Sequence, residues 1–179
     1  MTRLLTPALL IALLAGTPST AAAQWSLARM LLAPASTAGN PTQVFSANPV
    51  GLVMDFYNFE YELRVADAVT AGGGASHRGW YLFGEAEKPR LNGDVFVRYY
   101  PSGSAFNGLA LGVKVGATRL PQDGTLPGVG FDVNHSYAFT DHVVVSTGLG
   151  MKRLFGREPR PYAGAPVITT LRFNVGIGF

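Results

Sequence analysis

Leu171-Arg172-Phe173-Asn174-Val175-Gly176-Ile177-Gly178-Phe179, which closes a chain of 179 residues, alternates without a break. Leu171, Phe173, Val175, Ile177 and Phe179 hold one register, and Arg172, Asn174, Gly176 and Gly178 hold the other. Successive side chains of a strand point to opposite faces, so period two makes this a ribbon with one apolar and one polar face. Such a ribbon needs strand partners and a setting for its apolar side.

The same pattern recurs upstream. Residues 57–65 set Tyr57, Phe59, Tyr61, Leu63 and Val65 against Asn58, Glu60, Glu62 and Arg64. Residues 91–100 set Val95, Val97 and Tyr99 against Asp94, Phe96, Arg98 and Tyr100. Further strands are expected over 108–118, 128–138 and 142–154, with a weaker one of small residues over 68–76. A first strand is expected around 42–53, although Pro49 lies inside it and proline is confined to sheet edges and bulges. The count reaches eight, and strands of about 9 to 11 residues match a tilted membrane-crossing strand. The expected fold is therefore all-β, an eight-stranded antiparallel up-and-down barrel over 41–179.

Composition narrows the alternatives. With no cysteine there is no disulfide framework and no thiolate metal site. The 22 glycines fall largely inside alternating segments, as at Gly112, Gly116, Gly148 and Gly150, which fits curved strands and close backbone approach. A formal charge of +3 gives no reason to expect nucleic acid. Arg3, the apolar stretch 4–15 and Ala21-Ala22-Ala23 read as a cleavable signal peptide over 1–23, too short for a membrane span. Residues 24–40 then form a leader, whose 25–32 piece is amphipathic but short for a stable helix. No run after the signal can cross a membrane as a helix, so a closed barrel is the one way for this chain to span.

Alternation suits both a membrane barrel and a soluble one with its apolar side chains turned inward. Membrane barrels alternate short turns at one end with longer loops at the other. Connections at 66–67, 101–107 and 139–141 are read as the short set, and those at 77–90, 119–127 and 155–165 as the long set. The first connection, at 54–56, departs from that rhythm by being short. Glycines on the polar face and aromatic residues near strand ends (Tyr57, Tyr99, Tyr137, Phe179) favour the membrane version.

With the apolar face outward, Glu60, Glu62, Asp94 and Asp132 meet Arg64, Arg98, Lys114, Lys152 and Arg172 in the lumen. An eight-stranded barrel is just wide enough for side chains to fill it, and buried charges must be paired. These residues are read as a structural ion-pair network that plugs the barrel, in preference to a proton pathway or a binding site. Arg172 should find Glu60 or Glu62. The Glu60/Glu62 pair is assigned to that network and not to acid–base work. His135 and Ser136 are adjacent, so a strand sends them to opposite faces and they make no nucleophile–base pair. His77 and His142 sit at strand ends, and no two histidines have metal-ligand spacing. No catalytic residue, cofactor or metal is expected.

Ser46-Ala47-Asn48-Pro49-Val50-Gly51-Leu52, Phe59-Glu60-Tyr61-Glu62, Arg98-Tyr99-Tyr100-Pro101 and the terminal strand together resemble small bacterial outer-membrane β-barrels of the OmpA and OmpX type. The resemblance covers 41–179 and implies a place in the Gram-negative outer membrane. It also implies that Leu171, Phe173, Val175, Ile177 and Phe179 form the signal read by the barrel-insertion machinery. A monomer with a structural, envelope-integrity or surface-interaction role is expected. The alternatives are a narrow channel or carrier for small solutes and a lipid-modifying enzyme. The long connections carry more base than acid, and Arg157 and Arg160 are the expected contacts to lipopolysaccharide phosphate.

Overall fold

The computed structural model describes residues 41–53, 55–78, 90–121, 123–156 and 167–179. The expected signal over 1–23 and leader over 24–40 lie outside them, as do Arg157 and Arg160. Eight strands run in order: β1 (Gln43–Ala47), β2 (Phe56–Ala66), β3 (Val69–Arg78), β4 (Arg90–Tyr99), β5 (Gly108–Leu120), β6 (Gly124–Ala138), β7 (Val143–Leu154) and β8 (Val167–Gly178). Each pairs antiparallel with its sequence neighbours, and β1 pairs with β8, so the sheet closes on itself.

Closure is made at the terminal strand. Val44 faces Gly178 and Ala47 faces Val175, while the Phe179 carbonyl accepts from Thr42 N at 2.7 Å and the Phe179 N–H donates to the Gln43 carbonyl at 2.9 Å. Pairing both edges in this way removes the exposed ladder of an open sheet.

Two connections differ from the sequence expectation. The first strand does not extend over 42–53. It stops at Ala47, and a short helix, α1 (Pro49–Val53), follows before β2. Asn48 accepts from the Gly51 N–H at 2.9 Å through its side chain, which is helix N-capping, and Pro49 occupies the first helical position, where its missing N–H costs nothing. The β1–β2 connection is thus 48–55 and not 54–56. The fifth connection is the reverse case. β5 continues to Leu120 and β6 begins at Gly124, leaving 121–123 in place of a loop over 119–127. Gly124 has φ +75°, the left-handed conformation glycine adopts freely, so Asp123-Gly124 is a tight hairpin turn.

The faces are divided cleanly. Phe45, Phe59, Tyr61, Val97, Val113, Phe131, Leu149, Leu171 and Ile177 are exposed on the outside, whereas Ser46, Glu62, Thr70, Arg98, Asp132, Asn134, Lys152, Arg172 and Asn174 are buried inside. β3 is the exception on the outer side, where it presents Ala71, Gly73 and Ala75. No described helix is long and apolar enough to cross a membrane.

The apolar core is small and sits at one end. The connection at 100–107 turns back into the barrel, burying Tyr100, Ala105 and Phe106 against Val44, Ala110, Ala138 and Val144. Backbone bonds hold it there: Ala105 N donates to the Asp67 carbonyl at 2.7 Å and Gly103 N to the Tyr100 carbonyl at 3.0 Å. Phe106 adopts φ +61°, unfavourable for a residue with a Cβ, and the burial of its ring offsets that strain. We call this the sealed end. The other end, with connections 48–55, 79–89, 121–123 and 155–166, is the loop end. Phe106→Ala is expected to cost about 3–5 kcal/mol, read as a lowered urea midpoint. Phe106→Leu, which keeps most of the volume, should recover most of that loss.

Candidate functional site

The lumen is built by the inward register of every strand, and its charges cross-link walls that are not neighbours in the sheet. Arg98 of β4 is the centre. Its Nη2 meets Glu60 Oε2 at 3.1 Å, its Nη1 meets Glu62 Oε2 at 2.6 Å and its Nε meets Asp132 Oδ1 at 3.2 Å. The guanidinium also lies over the Phe96 ring, 3.7 Å from the centroid. That stack explains an aromatic residue in a polar register: the ring face attracts the cation and covers its flat side. The facing strand makes room with Gly72, where a Cβ would stand 2.8 Å from the Phe96 ring.

Arg172 of β8 reaches the same carboxylates, with Nη2 at 2.8 Å from Glu60 Oε2 and 3.7 Å from Glu62 Oε2. Glu62 is further held by the Thr70 hydroxyl and by Tyr100, whose hydroxyl donates to Oε1 at 3.3 Å. Tyr100 therefore joins the apolar seal to the ionic layer. A second group lies toward the loop end. There Lys152 Nζ contacts Asp94 Oδ1 and Asn92 Oδ1, both at 2.5 Å, and Thr118 donates to Asn92 Oδ1 at 2.7 Å.

The nine residues expected in the lumen are not all used alike. Glu60, Glu62, Asp94, Arg98, Asp132, Lys152 and Arg172 are drawn into ion pairs. Lys114 makes no ion pair among the described residues and donates instead to Thr170 Oγ1 at 3.2 Å. Arg64 lies near the sealed end, with its backbone N–H on the Thr42 carbonyl. Sequence reasoning passed over the uncharged partners Thr70, Asn92, Tyr100, Thr118 and Thr170. They share the inward register, but nothing in their own chemistry marks them in a sequence.

Arg172 is buried, and its Nε and Nη1 have no hydrogen-bond partner among the described residues. Beside it a space of about 60 Å³ is bounded by Asn58, Asp94, Lys114 and Thr170. A larger cavity of about 350 Å³ opens above it toward the loop end. His135 and Ser136 occupy opposite faces, as adjacent strand residues must. Ser136 is buried with its hydroxyl 3.2 Å from that of Ser146, and His135 is on the outer register.

Fold and site together define an eight-stranded antiparallel closed barrel with a buried, ion-paired interior and many exposed apolar residues. Comparison with protein families, curated proteins and solved structures gave no match in any of the three. The reading of the site therefore rests on the barrel's own geometry.

Arg98→Met leaves the buried Asp132 carboxylate without its guanidinium, and Glu60 and Glu62 with Arg172 alone. It is expected to destabilise the barrel by about 3–5 kcal/mol, measured by urea titration of the folded fraction. Arg98→Lys should restore only part of this, because an ammonium is a point charge and cannot span three separate carboxylates as a planar fork does.

Proposed function

We propose that the chain is an integral outer-membrane β-barrel protein, non-enzymatic, with a structural, envelope-integrity or surface-interaction role and a plugged, charged lumen. One observation carries the reading: the large apolar side chains point out of the barrel and the charges point in. Val113 is 65% exposed and Leu171 69%, whereas Arg98 and Lys152 are each at 2%. A soluble carrier barrel needs the opposite polarity, and an apolar belt this extensive in water is an aggregation liability. In lipid the same belt is the solvated surface.

Supporting features follow the same logic. Tyr57 lies at the loop end of β2, and Tyr99, Tyr137 and Phe179 lie at the sealed end, placing aromatic residues at both rims. In this reading residues 1–23 direct export and are removed, 24–40 form a leader, and Leu171, Phe173, Val175, Ile177 and Phe179 address the insertion machinery. Arg157 and Arg160 contact lipopolysaccharide, and the barrel works as a monomer without a cofactor. The Phe106 seal and the Arg98 network stand against a through-channel, and the opposite facing of His135 and Ser136 stands against that pair as a hydrolase site.

The test is fractionation followed by gel migration. The protein should be recovered in the outer membrane and migrate differently before and after heating; recovery as a soluble species with unchanged migration overturns the reading. Val113→Arg provides an independent check. At the middle of a lipid-facing strand it should cost about 2–4 kcal/mol in a bilayer, whereas on a water-facing surface it would be nearly neutral.

A further inference from the structure

Arg172 is 7% exposed and, among the described residues, meets carboxylates through Nη2 alone. The buried side-chain atoms left without a hydrogen-bond partner among those residues are its Nε and Nη1, both donors, and one acceptor, Asn134 Oδ1. Arg172 and Asn134 border the space of about 60 Å³ within the lumen, and so do Lys114 and Thr170. Every residue that bounds this space belongs to one of the strands β2–β8. Lys114 of β5 reaches Thr170 of β8, with Nζ 3.2 Å from Oγ1. An ammonium can only donate, so Thr170 accepts there and keeps its own hydroxyl hydrogen to give. β7 leaves the place open with Gly150, where a Cβ would stand 2.6 Å from Thr170 Oγ1 and 2.9 Å from Lys114 Nζ.

We propose that this space binds one small, singly charged inorganic anion, such as chloride or bromide, held by Lys114, Thr170 and Arg172. Lysine and arginine side chains carry donors only, and leaving them buried without a partner is costly, so an acceptor must complete them. The carboxylates on the walls are already engaged: Glu60 by Arg98 and Arg172, Asp94 by Lys152 and Asp132 by Arg98. A halide accepts from several donors at once and brings no hydrogen that needs an acceptor in turn. Water alone suits the site less well, because each molecule adds two hydrogens where the buried side chains offer Asn134 Oδ1 as the unpartnered acceptor. A water takes about 10–15 Å³ of such space, which leaves room for one beside the ion, joining it to Asn134 Oδ1. Glu60, Asp94 and Asp132 on the same walls oppose a second negative charge, since like charges repel strongly where water is excluded, and this restricts the ligand to a monovalent ion. The proposal depends on the lumen alone and stands apart from the membrane reading.

The experiment uses the full chain folded in detergent micelles. Its urea midpoint is followed as sodium gluconate is replaced by sodium bromide at constant ionic strength, because a ligand that binds only the folded state raises stability with its concentration. In the unaltered chain the midpoint should rise with the logarithm of bromide concentration once the site begins to fill. Crystals grown in bromide should show an anomalous scattering peak among Lys114, Thr170 and Arg172. Lys114→Met should move the onset of the rise to about tenfold higher bromide, the loss of one charge-assisted hydrogen bond, and Lys114→Arg should recover part of it. If Lys114→Met does not fold, Thr170→Val makes the same comparison. A midpoint that ignores bromide, or that moves equally in the unaltered chain and in Lys114→Met, overturns the site. Anomalous peaks confined to exposed arginines, with water alone in the lumen, overturn it as well.

Discussion

Arg98 is the tie on which the interior depends. Backbone ladders join each strand to its neighbours, but they leave opposite walls of a barrel unconnected. Arg98 on β4 reaches Glu60 and Glu62 on β2 and Asp132 on β6, and Arg172 brings β8 to the same carboxylates. The lumen thereby gains cross-braces in place of the apolar packing a soluble domain would use. Buried pairs of this kind add little net stability over apolar residues of the same shape, because desolvation consumes most of the Coulombic gain. Their larger effect is on specificity. Sliding any strand by one residue would turn its charges to the outside and its apolar residues into the lumen, leaving the remaining carboxylates without partners. The network fixes register more than it deepens the energy well.

The seam between β1 and β8 is the complementary weak point. Asn48-Pro49 ends β1 because proline supplies no N–H to the ladder and because the asparagine side chain caps a helix turn instead. Closure then falls to a short stretch of pairing around Val44–Ala47, reinforced by the Phe179 backbone and by the Ser46–Asn174–Asn58 side-chain chain. The terminal strand thus has two unlike halves: one is fully built into the wall, and the other is flanked by α1 and a cavity.

Much of this was legible in the sequence for a simple reason. A strand exposes its period directly, so the alternation through Tyr57–Val65 or Val143–Leu154 assigns both the strand and the face of each side chain. The ionic residues could be placed in the lumen on those grounds, and Arg172 with Glu60 or Glu62, but the three partners of Arg98 could not, since they depend on how far each strand is staggered. Lys114 shows the limit: it shares the inward register with Lys152 but meets a threonine hydroxyl where Lys152 meets Asp94. The Phe106 seal was illegible because it is made by a connection, where no periodicity exists, and because its φ of +61° is set by tertiary burial. The end of β1 and the turn at Asp123-Gly124 carried local signals, an N-cap before proline and an aspartate before glycine. In both places a reading guided by strand length outweighed them.

The lumen changes character along its axis, and that gradient bears on what the barrel can do. Tyr100, Phe106 and Val44 fill the sealed end with apolar packing; the Glu60–Arg98–Glu62 layer follows; hydroxyl and amide groups around Asn92, Thr118 and Thr170 come next; the cavity opens last. Charge and seal both lie between the cavity and the far end, so a solute reaching the cavity meets first a layer it would have to unpair and then a packed aromatic ring. Passage along the axis would require unpairing that layer and displacing that ring. Between the cavity and the loop end the described residues place neither barrier, so the two ends of the lumen are not equivalent.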